Sequence, residues 1–89
     1  MTKKRRKLNK DFERKIYSSK KNVELVLAKI YDIDDEDIQK EYMSAFNSVV
    51  YLYDQLKEDY DLQGFTNNSE ELLINYKNAF NLFESEFEI

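Results

Sequence analysis

The sequence predicts an all-α fold: a small up-down-up antiparallel three-helix bundle with a basic N-terminal tail. Three observations carry that expectation. Apolar residues recur at spacings of three and four over most of the 89 residues. One glycine and no proline leave an antiparallel sheet without its turn residues. Short polar stretches around residues 32–37 and 61–69 divide the periodic pattern into three.

The first helix is expected over about 9–31. Phe12, Ile16, Ser19, Val23, Val26 and Ile30 follow each other at heptad spacing, with Ser19 as a polar interruption. The second is expected over about 34–61. Its stripe is Ile38, Tyr42, Ala45, Val49, Leu52 and Leu56, widened by a flanking row of Phe46, Tyr53 and Tyr60. The third is expected over about 68–87, with Leu73, Tyr76, Phe80, Phe83 and Phe87 on one face. Residues 1–8 form the tail and residues 9–89 one helical domain, a length that suits a single domain.

The breaks have their own chemistry. With Asp34 as N-cap of the second helix, Asp37 falls at N3 as a variant capping box, and Ile33 and Ile38 form a hydrophobic staple. Gly64 suits the left-handed conformation that ends a helix. Asn68 with Glu71, or Asn67 with Glu70, offers a capping box for the third helix. Short connections make successive helices antiparallel.

Composition excludes several function classes. Without Cys or His there is no disulfide, thiol nucleophile, zinc site of the usual donors, haem ligand or imidazole base. Hydroxyl nucleophiles then lack a partner to activate them. Three helices of this length are expected to pack solidly, with little room for a substrate pocket. The chain therefore reads as not an enzyme, with no cofactor, no metal and no catalytic residue. Asp32-x-Asp34-x-Glu36 opens like a calcium loop, but the sixth position is Asp37 rather than Gly and the twelfth is Met43 rather than Glu. No apolar run is long enough to span a bilayer, and the basic N-terminus precedes no apolar signal core, so the expected location is cytoplasmic.

Charge is segregated. Residues 1–21 carry ten basic groups and two acids, net +8; residues 22–89 carry four and sixteen, net −12. In an up-down-up bundle, the start of the first helix lies beside the end of the second and the start of the third. Asp54, Glu58, Asp59, Asp61, Glu70 and Glu71 lie there, so much of the basic charge is expected to be neutralised within the fold. The opposite end gathers Asp32, Asp34, Asp35, Glu36, Asp37 and Glu41 with Glu84, Glu86 and Glu88. Only Lys29 and Lys40 oppose them locally.

This acidic pole is the first candidate site. It suits docking on a partner protein with a basic surface, because a rigid carboxylate array imitates the spacing of phosphates. The leading expectation is a protein–protein interaction module of the inhibitor type, acting as a nucleic-acid mimic. The alternative is a nucleic-acid-binding regulator using Lys3, Lys4, Arg5, Arg6, Lys7, Lys10, Arg14, Lys15, Lys20 and Lys21. Tyr17, Tyr31 and Tyr51 fall off the main stripes and suit a partner-facing surface, and the heptad rhythm is compatible with a homo-oligomer.

In size, helicity and charge the chain is similar to two groups of small helical proteins. One is the bacteriocin immunity proteins of Gram-positive bacteria. The other is the small phage- or plasmid-encoded inhibitors, anti-CRISPR proteins among them, which block a host enzyme by direct binding. The resemblance implies a binding role and carries no residue-level assignment.

Overall fold

The computed structural model describes residues 7–89. It contains three helices: α1 (Lys10–Tyr31), α2 (Glu36–Gln63) and α3 (Asn67–Glu86). Four residues join α1 to α2 and three join α2 to α3, so neighbours run antiparallel. The small three-helix bundle expected from the sequence is the fold observed. At 28 residues α2 is the longest element, roughly 42 Å at 1.5 Å per residue. It is also the central one. Both α1 and α3 pack against it and touch each other only weakly.

The buried row of α1 is Phe12, Ile16, Ser19, Val23, Val26 and Ile30, the row its sequence spacing marks. On α2 the outcome differs. The residues buried there are Phe46, Val49, Tyr53, Leu56 and Tyr60, while Tyr42, Ala45 and Leu52 are half-buried and Ile38 is exposed. The whole flanking row is buried, beside Val49 and Leu56 of the main stripe. A helix covered from two sides buries a face wider than one heptad stripe. On α3, Leu73, Tyr76 and Phe83 are buried, whereas Phe80 and Phe87 stay partly open.

Aromatic side chains carry much of the α2–α3 contact. Phe46 lies 4.8 Å from Phe83 and 6.1 Å from Phe80, and Tyr53 lies 6.0 Å from Tyr76, centroid to centroid. Tilted and edge-on geometries of this kind add to the gain from burial alone.

Three capping expectations need correction. The N-cap of α2 is Asp35, one residue later than expected, and its carboxylate accepts from the Asp37 and Ile38 amides at 2.9 and 3.2 Å. That shift removes Ile33 and Ile38 from the staple positions. The place is taken by Gln39, whose side-chain amide donates to the Ile30 and Tyr31 carbonyls at 3.1 and 3.2 Å. The Ile30 carbonyl also accepts from the Ile33 amide at 3.1 Å, so Gln39 adds a second donor there and ties the start of α2 to the end of α1. The N-cap of α3 is Thr66, not Asn67 or Asn68. Thr66 Oγ1 accepts from the Ser69 amide at 3.1 Å and Ser69 Oγ accepts from the Thr66 amide at 2.8 Å. Ser69 is fully buried, so a short hydroxyl fits where a Glu side chain would not. Gly64 caps α2 with positive φ as expected, but at φ 78° and ψ −158° it is extended rather than left-handed helical. Only glycine occupies that region readily.

Candidate functional site

The two ends of the bundle are built differently. At the end where α2 turns into α3, the chain start is fixed to the turn. Lys7 forms a parallel bridge with Gly64, and its carbonyl accepts from the Phe65 amide. The Lys7 ammonium lies 5.9 Å from the Phe65 ring centroid. The Asn9 amide donates to the Tyr60 hydroxyl at 3.1 Å, and that hydroxyl donates to the Glu13 carboxylate at 2.6 Å. Phe12 packs on both Tyr60 and Phe65. Lys7 is thus docked on the bundle, and Lys3, Lys4, Arg5 and Arg6 lie outside the described residues.

The remaining basic candidates are exposed on α1. Lys10, Arg14 and Lys21 stand with Tyr17 along the face turned away from α2, at spacings of 4, 3 and 4. The Lys21 ammonium sits 5.3 Å from the Tyr17 ring centroid. Lys15 and Lys20 lie on either side of this row. Among the described residues, no basic side chain of α1 forms an ion pair with α2 or α3. Arg14 pairs with Asp11 at 3.7 Å and Lys57 with Asp61 at 2.5 Å, each within one helix. Lys10, Lys15 and Lys20 make no ion pair with Asp54, Glu58, Asp59, Glu70 or Glu71.

At the opposite end the fold gathers the acidic candidates. The Tyr42 hydroxyl donates to the Glu88 carbonyl at 3.3 Å, and the Tyr42 ring meets Phe87 edge-on at 4.9 Å. These contacts hold the end of α3 against the start of α2. Asp32, Asp34, Asp35, Glu36, Asp37, Glu41, Glu84, Glu86 and Glu88 are all exposed, and none is in an ion pair among the described residues. Their local roles differ. Asp35 caps α2, and Glu36 and Asp37 occupy its first turn, where the helix dipole favours acids. Asp32 is the C-cap of α1, Glu84 and Glu86 lie in the last turn of α3, and Glu88 follows it. Helix ends of that polarity disfavour acids. Among the described residues, no three acidic side chains are placed to hold one metal ion.

One feature was not expected. A groove of about 880 Å³ runs between α1 and α3, where a solid bundle was predicted. Val26, Tyr76, Phe80, Phe83 and Phe87 line it, with Ser18, Asn22 and Leu25 on the α1 side and Lys77, Asn81 and Glu84 on the α3 side. Both helices pack chiefly on α2 and only weakly on each other, which leaves this side open. The sequence held two hints: the small Ser19 inside an apolar row, and the uncharged Ser18, Asn22 and Asn81 in a chain that is 36% charged.

Two hydroxyls in the core titrate abnormally. Burial pushes Tyr76 up to about 12, with its hydrogen bonding to Ser19 offsetting part of the effect. Burial raises Tyr53 as well, with Asp54, Glu24 and Asp61 adding to it. Both are accounted for by packing.

Compared with known proteins, the chain matches no family model, no curated protein and no solved structure. None of the described helices is long and apolar enough to cross a membrane.

Proposed function

We propose that the protein is a non-enzymatic protein–protein interaction module that docks its acidic pole onto a basic partner surface. An inhibitor that occupies a nucleic-acid-binding cleft is the form this role would take. The supporting observation is the position of four acids. Asp32, Glu84, Glu86 and Glu88 stand at C-terminal helix ends, exposed and without ion pairs. Each works against its helix dipole by about 0.3–1 kcal/mol, so the fold alone gives no reason for them. An electrostatic contact with a partner does.

The test replaces all four by lysine and follows binding of a labelled arginine-rich peptide by fluorescence anisotropy. The native protein should bind with an affinity that falls as salt rises. The variant should lose that affinity by at least about tenfold while its melting temperature holds or rises. Unchanged peptide affinity would remove the reading.

A second reading rests on the α1 face that carries Lys10, Arg14, Tyr17 and Lys21. Basic groups flanking an exposed aromatic ring suit single-stranded nucleic acid. Titrating labelled single-stranded RNA and duplex DNA at two salt concentrations separates it from the first. Steeply salt-dependent binding that weakens when residues 1–7 are removed would favour it.

A further inference from the structure

We infer that the α1–α3 groove is the docking face for a second copy of this chain, lying in the reversed direction. The groove is an unfinished side of the core. Phe80 and Phe87 remain partly open on its floor, and Leu25 on its wall is 58% exposed. Apart from Lys77 its middle is uncharged, with Ser18, Asn22 and Leu25 on the α1 side and Phe80 and Asn81 on the α3 side. Depletion of charge around an aromatic centre, with charges kept to the rim, is the pattern of a protein interface.

The rim selects the occupant. Because α1 and α3 both run antiparallel to α2, they are parallel to each other, and Ser19 stands level with Tyr76. Arg14 and Lys15 therefore mark one end of the groove, and Glu84 and Glu88 the other, roughly 18–25 Å away. Lys29 offsets one carboxylate at the acidic end, and Lys77 lies on the wall between. Beyond the groove lie Asp11, paired with Arg14 at 3.7 Å, at the basic end, and Asp32 and Glu86 at the acidic end. A surface that is basic at one end and acidic at the other is complementary to itself after a two-fold rotation that reverses the helices. Each copy then sets its acidic end over the basic end of its mate, and both contacts form at once. A parallel pair would stack the two acidic poles side by side. A small core also gains from the added burial.

The groove shares Glu84 and Glu88 with the acidic pole, but Asp34, Asp35, Glu36 and Asp37 do not line it. Arg14→Glu with Lys15→Glu, and Leu25→Glu, leave every acid of the pole in place, so a dimer lost in these variants with peptide binding retained separates the two readings.

The experiment is sedimentation equilibrium of the full chain and two charge variants, Arg14→Glu with Lys15→Glu, and Glu84→Lys with Glu88→Lys. The native chain should form a dimer that weakens with salt. Each variant alone should dissociate by at least about tenfold more readily, since like charges then meet at both contacts. Mixing the two variants should restore dimers, because one contact is inverted and the other is native. Leu25→Glu, at an exposed position, should abolish the dimer while the helical circular dichroism stays unchanged. A native chain that is monomeric at every concentration would overturn the inference. So would a dimer that ignores the charge variants, or a mixture that fails to associate.

Discussion

The Tyr76 hydroxyl of α3 donates a hydrogen bond of 3.2 Å to the backbone carbonyl of Ser19 on α1, bridging two helices that otherwise touch only weakly. Ser19 is 3% exposed and Tyr76 2%, so the contact is dry. The Ser19 hydroxyl turns back to the Lys15 carbonyl at 2.8 Å, so its own hydrogen bond is met within α1. A small residue in an otherwise apolar row is what lets the ring approach.

Replacing Ser19 by Leu should therefore destabilise the protein by about 1–3 kcal/mol, through overpacking against Tyr76. Heptad reasoning alone predicts a gain, since Leu would complete the apolar row. Urea denaturation of the two proteins decides between them, and a higher midpoint for the Leu variant would refute the packing argument.

Stability should fall as pH rises from about 10 to about 12. The folded state holds the Tyr76 proton more tightly than the unfolded chain, whose tyrosine titrates near 10. The contribution is complete below the unfolded value and is lost as pH passes through the folded one. Tyr53 acts in the same direction. Tyr76→Phe should be less stable at neutral pH by about 1 kcal/mol, for the lost hydrogen bond, and should show a shallower alkaline decline. Parallel declines in both proteins would assign the effect elsewhere.

Gly64→Ala should cost on the order of 1–3 kcal/mol, because a Cβ conflicts with φ 78° and ψ −158°. The damage should reach beyond the turn, since Gly64 also bridges Lys7. Hydrogen exchange at the Phe65 amide, which donates to the Lys7 carbonyl, should speed up relative to the amides of central α2. Equal protection would show that the bridge survives the substitution.

Thr66→Ala should lower stability by about 1 kcal/mol, whereas Asn67→Ala should stay within roughly 0.5 kcal/mol. Thermal melts compare the two directly. A larger loss at Asn67 would restore the capping box that the sequence suggested and contradict the Thr66–Ser69 pair.

Local order was written in the chain itself. The 3.6-residue period sets the three helices and the full buried row of α1, because a helix face is a property of spacing alone. The segregation of charge was legible for the same reason: short loops and alternating direction decide which helix ends meet. What contacts decide was not legible. Phe46, Tyr53 and Tyr60 are buried beside Val49 and Leu56 because two neighbours cover α2, and no spacing within α2 reports how many neighbours it has. Thr66 displaced the asparagines as cap because Ser69 is fully buried, and burial depends on the whole fold. The groove followed from a competition between pairs of helices, in which α2 outbid α1 for the face of α3. Spacing chooses a helix and its apolar face; only the packed structure chooses which faces meet and which stays open.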